Sequence, residues 1–377
     1  MSQDLILLAA ALFTWGVGDS MFFLFQPLYL QDLGADPQMI GNILGTVGIA
    51  MTVAHLPAGY IADRIGRRPL LYAAWGIGLL ATWTMALAPS LRWFTVGTVM
   101  YGLTSFVMVP LYSYITAARG KLSVGRAITL TTAAFSLGSI IGPLIGGWIG
   151  DTVGLHRTFL VAAFIFILSA LMVLGIRAQP VEESAAPKGR GNWKAVLTPK
   201  YTRYLLLVFL VMFVMYLPQP LSQNFLQDVH GLDRAQIGGI ISMRNLGVVV
   251  FNLLLGQLNA RLGFLLAQGA MALFGLTLWQ GTGMPWFMLA YFLMGSYQTA
   301  RSLASAQARS LVEQSNMGIA YGFIETAASL SIIIAPPIAG YIYARSPAGI
   351  YPLSLVAIGA GLLLTFFFSP IRSEEVL

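Results

Sequence analysis

Residues 59–68 read Gly-Tyr-Ile-Ala-Asp-Arg-Ile-Gly-Arg-Arg, and they close one apolar run, 39–61, and precede the next, 69–88. A weaker copy, Gly-Gln-Leu-Asn-Ala-Arg-Leu-Gly, occupies residues 256–263. A short basic turn between apolar runs of about 20 residues is typical of two helices that cross a membrane and meet at one face. The recurrence of that turn about half a chain later predicts a fold built from two related halves.

The composition of the 377-residue chain agrees with a membrane protein. Hydrophobic residues make up 57% of the chain and charged residues only 9%, whereas a soluble domain carries about 25% charged residues. This scarcity of charge excludes a soluble enzyme, a nucleic-acid-binding protein and a disordered protein. The sequence contains no cysteine, which excludes a disulfide framework, a thiolate metal site and a cysteine nucleophile.

Twelve apolar runs are long enough to cross about 30 Å of hydrocarbon as helices. They leave little chain for a soluble domain. The sequence therefore predicts an all-α membrane protein with twelve transmembrane helices in two pseudo-symmetric six-helix bundles. The first six runs cover residues 5–30, 39–61, 69–88, 93–117, 128–150 and 157–177, and the other six cover 204–226, 237–259, 262–282, 285–309, 318–343 and 350–370.

The distribution of lysine and arginine predicts the orientation of these spans. Fifteen of the 21 basic residues fall in one set of alternate loops, and only four, Arg92, Arg157, Arg234 and Arg345, fall in the other set. Because basic loops stay on the cytoplasmic side, both termini are predicted to be cytoplasmic, in the cell (inner) membrane. The net charge of +7 is then an orientation signal, and no nucleic-acid partner is expected.

A polar stretch near the middle of the chain predicts the boundary between the halves. Residues 182–191 combine charges with proline and glycine, as linkers do. We predict an N-terminal bundle over residues 1–178, a cytoplasmic linker over 179–202 and a C-terminal bundle over 203–377.

The two halves also correspond position by position at nearly constant offsets. Corresponding positions are Gly41 and Gly238, Pro143 and Pro336, and Gly147 and Gly340, and the tripeptide Leu-Gln-Asp at 30–32 recurs at 226–228. Such duplicated six-helix halves are how one class of transporters builds a central binding site near the membrane midplane.

The turn at residues 59–68 resembles the signature loop of the major facilitator superfamily, G-x-x-x-D-R-x-G-R-R. The matching residues are Gly59, Asp63, Arg64, Gly66, Arg67 and Arg68. The resemblance implies that Asp63 latches the two halves in the outward-open state by facing the start of the eleventh span near Gly318. The alternative is that the basic cluster only anchors the topology.

The fifth span resembles the antiporter motif of the same superfamily, G-x-x-x-G-P-x-x-G-G. The matching residues are Gly138, Gly142, Pro143, Gly146 and Gly147. The resemblance implies that this face packs against the eleventh span and favours export in exchange for protons; the alternative is a glycine packing face with no bearing on direction. An arginine that drug exporters of the superfamily often carry four residues before a glycine in span four is absent, because Thr98 stands at that spacing before Gly102.

Four charged residues, Asp19, Arg244, Arg301 and Glu325, stand out because they lie away from the ends of predicted spans. A charge in hydrocarbon is costly, so each is a functional candidate. The resemblance places spans one, four, seven and ten around the cavity, where Asp19 and Arg301 would face it. Burial and a cationic neighbour change the proton affinity of a carboxyl group in opposite directions, so Asp19 is the first candidate proton carrier and Glu325 the second.

Each of these residues also has a structural reading. The two carboxylates are alternatively permanent partners of a cation. Arg301 either neutralises Glu325 or Asp19 or binds an anionic group of the substrate. Arg244 either pairs or extends its charge towards the outer surface.

Polar and aromatic residues near the same depth suit an amphipathic organic ligand. These candidate binding residues are Gln26, Tyr112, Tyr114, Tyr216, Gln219, Tyr297 and Gln298. The alternative is that they serve as packing or interfacial anchors. The chain has no P-loop, and its three histidines are far apart in sequence, so we expect neither a cofactor nor a metal, and a proton gradient as the energy source.

Together these observations predict a secondary active transporter, not an enzyme. We expect a monomer in the lipid bilayer that exports a small organic solute in exchange for protons by alternating access. Proton-coupled uptake or exchange of an organic anion bound by Arg301 is the alternative. A static membrane receptor or scaffold on the same frame is the third reading.

Overall fold

The computed structural model describes residues 2–65, 67–179, 196–308, 311–313 and 317–370, with the side chains at 55–65, 109 and 318 outside this description. Every regular element within these ranges is a helix. The all-α fold class predicted from composition and span length is therefore confirmed.

Eight α-helices cover the described part of the first half. They are α1 (Gln3–Phe22), α2 (Gln26–Asp32), α3 (Pro37–Ile65), α4 (Arg67–Ala86), α5 (Leu91–Leu103), α6 (Met108–Ala118), α7 (Val124–Val153) and α8 (Leu155–Leu174). Short 3-10 turns at Phe23–Phe25 and Thr104–Val107 separate α1 from α2 and α5 from α6. Pro27 lies in the first turn of α2, where a residue without an N–H donor is tolerated.

Eight further helices cover the described part of the second half. They are α9 (Pro199–Tyr216), α10 (Ser222–Asp228), α11 (Arg234–Leu255), α12 (Ala260–Gln280), α13 (Met284–Met294), α14 (Ser296–Gln307), α15 (Met317–Arg345) and α16 (Ile350–Phe368). The break between α9 and α10 contains Pro218 and Pro220, and it corresponds in the repeat to the break between α1 and α2.

The described residues contain ten helices long and apolar enough to cross a membrane, and a bent pair, Leu91–Val107 with Pro110–Ala118, makes an eleventh. The predicted span at 285–309 instead forms two shorter helices, α13 and α14, that meet at Gly295. Since α14 is rich in serine, glutamine and alanine, length and hydropathy alone do not identify this span.

The chain divides into two compact units. The first unit comprises Met1–Asp36, Thr46–Ala186 and Leu226–Ser242, and the second comprises Pro37–Gly45, Pro187–Phe225 and Met243–Leu377. Each unit therefore contains one short segment from the other half of the sequence.

Within the first unit, α1 lies directly against the backbone of α7. A Cβ atom added to Gly138 would lie 2.2 Å from the carbonyl oxygen of Phe13, and one added to Gly142 would lie 2.4 Å from that of Val17. We expected this glycine face to pack on the eleventh span, whereas these glycines contact the first. Because they are four residues apart, these glycines lie on one side of α7, where the absence of side chains lets α1 approach closely.

Leu226–Ser242 in the first unit and Pro37–Gly45 in the second unit each come from the other half of the sequence. These two segments make equivalent backbone contacts, which we call the glycine crossings. In the first unit a Cβ on Gly238 would lie 2.3 Å from the carbonyl oxygen of Pro143, and in the second unit a Cβ on Gly41 would lie 2.3 Å from that of Pro336. Gly41 corresponds to Gly238 in the repeat, and Pro143 corresponds to Pro336. The duplication read from the sequence is therefore visible in individual backbone contacts.

Candidate functional site

Asp19 lies on α1 in the first unit and accepts a hydrogen bond from Tyr101 on α5. The hydroxyl oxygen of Tyr101 is 2.5 Å from Asp19 Oδ1. Tyr101 is buried, and its ring packs edge-on against Phe22, with 4.9 Å between the ring centroids. Because such apolar surroundings strengthen a polar contact, the carboxyl group is held at a defined position in the span.

A buried chain of hydrogen bonds fixes the turns of α1 that precede Asp19. Trp75 Nε1 donates to Ser169 Oγ at 2.9 Å, and Ser169 Oγ donates to the carbonyl oxygen of Ala11 at 2.7 Å. Trp15 packs edge-on against Trp75, with 4.6 Å between the centroids. The orientation of Asp19 thus depends on α4 and α8 as well as on α1.

The other predicted binding residues of the first unit occupy three different environments. Gln26 is 1% exposed, and its side-chain nitrogen has no hydrogen-bond partner within the described part of the chain. Tyr112 is exposed on α6. Tyr114 is buried, and its hydroxyl donates to the carbonyl oxygen of Arg177 at 2.7 Å. Tyr101, which donates a hydrogen bond to Asp19, was not among the predicted residues.

In the second unit, Arg301 on α14 forms an ion pair with Glu325 on α15. Arg301 Nε donates to Glu325 Oε2 at 2.9 Å, and Nη2 donates to the same oxygen. The side chains are 23% and 50% exposed, respectively. Arg301 was predicted either to neutralise a carboxylate or to bind an anionic group of the substrate. The ion pair observed is the one with Glu325.

Two predicted tyrosines, Tyr216 and Tyr297, lie side by side near this ion pair. Their ring centroids are 5.4 Å apart, and both interact electrostatically with Arg301 and Arg244. Tyr297 is 4% exposed, and its hydroxyl has no hydrogen-bond partner among the residues that the structure describes. A buried polar group without a partner is an exception that calls for an explanation.

The two predicted glutamines of this unit differ in their accessibility. Gln219 lies in the break between α9 and α10, is buried, and donates to the carbonyl oxygen of Met215 at 2.9 Å. Gln298 is exposed on α14, one residue after Tyr297. Gln298 therefore has the more accessible amide of the two.

The signature loop is only partly described. The motif residues Gly59, Asp63 and Arg64 have side chains outside the description, as has Gly318 in the eleventh span, and Gly66 lies outside the described residues. The latch assigned to Asp63 therefore stays a prediction. Arg67 begins α4, and Arg68 Nε donates to the Tyr72 hydroxyl oxygen at 2.6 Å. That hydroxyl donates to the carbonyl oxygen of Leu174 at 3.1 Å, which ties α4 to the end of α8.

Two polar contacts that were not predicted join the end of α2 to the end of α10 and to the start of α11. Arg234 Nη2 lies 2.6 Å from Asp32 Oδ2 in an ion pair, and Gln31 Nε2 donates to Asp228 Oδ1 at 2.9 Å. All four residues belong to the first unit. The repeated Leu-Gln-Asp tripeptide is the sequence signal that marks this region.

Asp32→Asn and Arg234→Gln are expected to show a coupling of about 0.2–1 kcal/mol in a double-mutant cycle, the range measured for exposed ion pairs. The side chains are 30% and 25% exposed, so high salt should reduce the coupling by screening. Thermal unfolding of wild type, both single variants and the double variant at low and high salt gives the values. A coupling of zero at low salt would show that the ion pair contributes nothing to stability.

The sequence pattern of the Major Facilitator Superfamily matches residues 8–263 and, in an overlapping match, residues 204–376. Because these matches cover most of the chain, the chain belongs to this superfamily. It is therefore a multi-span member of a transporter family, not of an enzyme family.

Two curated relatives carry names that refer to drug resistance. The multi-drug resistance efflux pump PmrA of Streptococcus pneumoniae serotype 4 is 28% identical over 215 residues, which cover 54% of this chain and 52% of the relative. Multidrug resistance protein 2 of Bacillus subtilis is 22% identical over 355 residues, which cover 90% of this chain and 88% of the relative. The chain spans about half the length of the first curated relatives it matches.

Among solved structures, a point mutant of the nucleoside transporter NupG has a similar fold. The TM-score is 0.85 at 14% sequence identity, covering 97% of this chain and 99% of NupG. At this identity the likeness confirms the fold of two six-helix bundles.

Proposed function

We propose that this chain is a proton-coupled exporter that moves a small organic solute out of the cell by alternating access, in exchange for protons. It works as a monomer in the cell (inner) membrane with both termini in the cytoplasm, and the proton gradient drives it without a cofactor. The observation that carries this proposal is the carboxyl group of Asp19, half-buried on a membrane-spanning helix and hydrogen-bonded to Tyr101.

A carboxyl group in this setting suits proton coupling because its charge state and its surroundings depend on each other. The carboxyl group accepts a hydrogen bond from Tyr101, and it can bind or release a proton as its surroundings change. If one conformation offers Asp19 more water than the other, a proton is bound in one and released in the other.

Two observations support export rather than uptake. The glycine pattern of α7 matches the antiporter motif at every fixed position, and the relatives described above are named for drug efflux or resistance. The Arg301–Glu325 pair supports a substrate that is neutral or cationic, because the charge that would bind an organic anion is already balanced. Tyr216 and Tyr297 then supply ring surface, and the Tyr297 hydroxyl supplies a hydrogen bond.

The direction in which protons move when substrate enters liposomes tests this proposal. The purified full chain is reconstituted with a pH-sensitive dye inside, and an aromatic cation such as ethidium is added outside while potassium and valinomycin clamp the membrane potential. Antiport predicts that the lumen becomes alkaline as ethidium enters. Acidification would indicate symport, and ethidium entry without a pH change would indicate uncoupled transport; either result contradicts the proposal.

Arg301→Gln and Glu325→Gln are each expected to lower the melting temperature, and the double variant is expected to recover part of the loss. Each single variant leaves one charge of the pair without its partner, whereas the double variant leaves none. We expect a coupling of about 0.5–3 kcal/mol, as for residues in contact. The uptake alternative predicts instead that an organic anion raises the melting temperature of wild type and not that of Arg301→Gln, which thermal shift with a panel of anions will detect.

A further inference from the structure

The helix α14, in the tenth span, exposes a polar face. Four residues spaced three and four apart make up this face: Gln298, Arg301, Ser302 and Ser305. Residues at these spacings lie on the same side of a helix, and Leu303 and Ala304 on the other side are buried. Because a charged or polar face turned towards lipid is costly, this face borders water or a ligand.

The neighbouring helix α15 exposes a similar face. Gly322, Glu325 and Thr326 are exposed, and Ser329 is half-buried. The ion pair between Arg301 and Glu325 joins this face to that of α14, so the two helices contribute to one polar surface within the second unit. A solute bound at this surface touches both helices.

The ion pair leaves one oxygen of the Glu325 carboxylate outside its own hydrogen bonds. Arg301 Nε donates to Oε2 at 2.9 Å, and Nη2 donates to the same oxygen, so Oε1 accepts neither bond. The Glu325 side chain is 50% exposed, whereas that of Arg301 is 23% exposed. The carboxylate is therefore the more accessible partner of the pair, and Oε1 is the oxygen that a ligand can reach.

Two aromatic rings lie beside this carboxylate. Tyr297 interacts electrostatically with Glu325 and Arg301, and the half-buried ring of Tyr216 lies 5.4 Å from that of Tyr297 between centroids. The hydroxyl of Tyr297 is buried and makes no hydrogen bond to any residue in the described ranges. An aromatic ligand packed on these rings has two acceptor atoms near it, Glu325 Oε1 and the Tyr297 hydroxyl oxygen.

The charge balance of this region favours a hydrogen-bond donor over a bare positive charge. Arg301 already neutralises Glu325, and Arg244 adds a second positive charge that acts on both tyrosines. A cation without N–H groups therefore gains little Coulomb energy here. An N–H donor gains more, because its hydrogen bond to a carboxylate oxygen is charge-assisted and depends on contact at Oε1 rather than on net charge.

We propose that Glu325 is the specificity-determining residue of this transporter, and that its Oε1 binds an N–H group of an aromatic amine or amidine. This inference rests on the proposed function, because it takes the surface around Tyr216 and Tyr297 as the substrate site. Glu325 recognises the substrate, and its ion pair with Arg301 holds the carboxylate in place. The site thereby distinguishes N–H groups from N-methyl groups on ligands of the same charge.

Two acridinium cations that differ only in methyl groups on nitrogen test this proposal. Euflavine carries free amino groups, and ring-N-methylated acridine orange carries dimethylamino groups in the same places. Both have the same ring system and a permanent positive charge. Their binding to the purified full chain is measured by fluorescence anisotropy. We expect wild type to bind euflavine about 10–100-fold more tightly, as follows from one hydrogen bond to a charged group.

The double variant Arg301→Leu with Glu325→Leu removes the acceptor without leaving an unpaired charge. It is expected to bind euflavine as weakly as it binds the methylated cation. If this variant does not fold, Glu325→Asp keeps the charge but shortens the side chain by a methylene, and it should reduce the preference. Glu313→Gln is the matched control, because it removes an exposed carboxylate that lies outside α14 and α15 in the same unit. This control should keep the wild-type preference.

The proposal is overturned if wild type binds the two cations equally, or if the full preference survives in the double variant or in Glu325→Asp. The outcome for the proposed function is separate. Ethidium entry that moves protons, together with equal binding of the two acridinium cations, would uphold the exporter and overturn the role of Glu325. A preference for euflavine that depends on Glu325, together with ethidium entry that moves no protons, would support Glu325 and contradict the proposed function.

Discussion

Asp19→Asn is expected to reduce substrate-driven proton movement to the level of protein-free liposomes. Asparagine has nearly the shape of aspartate and still accepts a hydrogen bond from Tyr101 through its side-chain oxygen, but it cannot bind and release a proton. The fold should therefore survive while the coupling is lost. The measurement is the lumenal pH response to ethidium, compared with ethidium entry and with the melting temperature of the same preparation.

The matched control for this variant is Asp151→Asn, which removes a carboxylate from an exposed position near the end of α7. It should retain the full pH response. If Asp19→Asn retained that response as well, Asp19 would not carry the proton, and Glu325 would become the carrier to test by the same substitution. If both variants lost the response with a lowered melting temperature, the effect would be one on folding.

Gly138→Ala is expected to lower the stability of the first unit more than the other glycine-to-alanine substitutions on α7. The added methyl group would lie 2.2 Å from the carbonyl oxygen of Phe13 and 2.8 Å from the backbone nitrogen of Val17. Both are backbone atoms, so α1 and α7 must separate to admit it. Overpacking of this kind costs about 1–3 kcal/mol or more, and the readout is the melting temperature and the yield of folded protein.

Gly125 on the same helix gives the matched control, because a Cβ atom there would meet nothing within 4 Å. Gly125→Ala should be neutral or slightly stabilising, since alanine suits a helix better than glycine. Equal melting temperatures for Gly138→Ala and Gly125→Ala would contradict the close packing of α1 on α7. A loss of transport in Gly138→Ala without a loss of stability would show that the glycine face serves movement more than packing.

Much of the fold was predictable because the bilayer sets a length and a polarity for each span. The apolar run at 285–309 was predicted as one continuous span in the same way. The structure divides it into α13 and α14 at Gly295, where a Cβ atom would lie 2.4 Å from the backbone nitrogen of Val248. The polar helix α14 is accommodated by packing against neighbouring helices of the second unit. The hydropathy of the segment does not reveal that packing.

The candidate site was harder to predict because its contacts join distant parts of the chain. Asp19 was evident as a charge within an apolar run, but its partner Tyr101 lies 82 residues away in a segment rich in other aromatic residues. Arg301 and Glu325 are 24 residues apart on neighbouring helices. Because charged residues are rare within the spans, few other partners for Arg301 could be considered. The chain has fifteen tyrosines, so the sequence does not indicate which of them contacts Asp19.

The glycine crossings have a consequence for how reversible a contact between spans can be. Each crossing rests on backbone atoms of Gly238 against Pro143 or of Gly41 against Pro336. A surface without long side chains has almost no rotamers to order when it closes and none to release when it opens. Two such surfaces can part and rejoin many times without the slow rearrangement that interlocked side chains would require, which makes them suited to repeated cycling rather than to permanent closure.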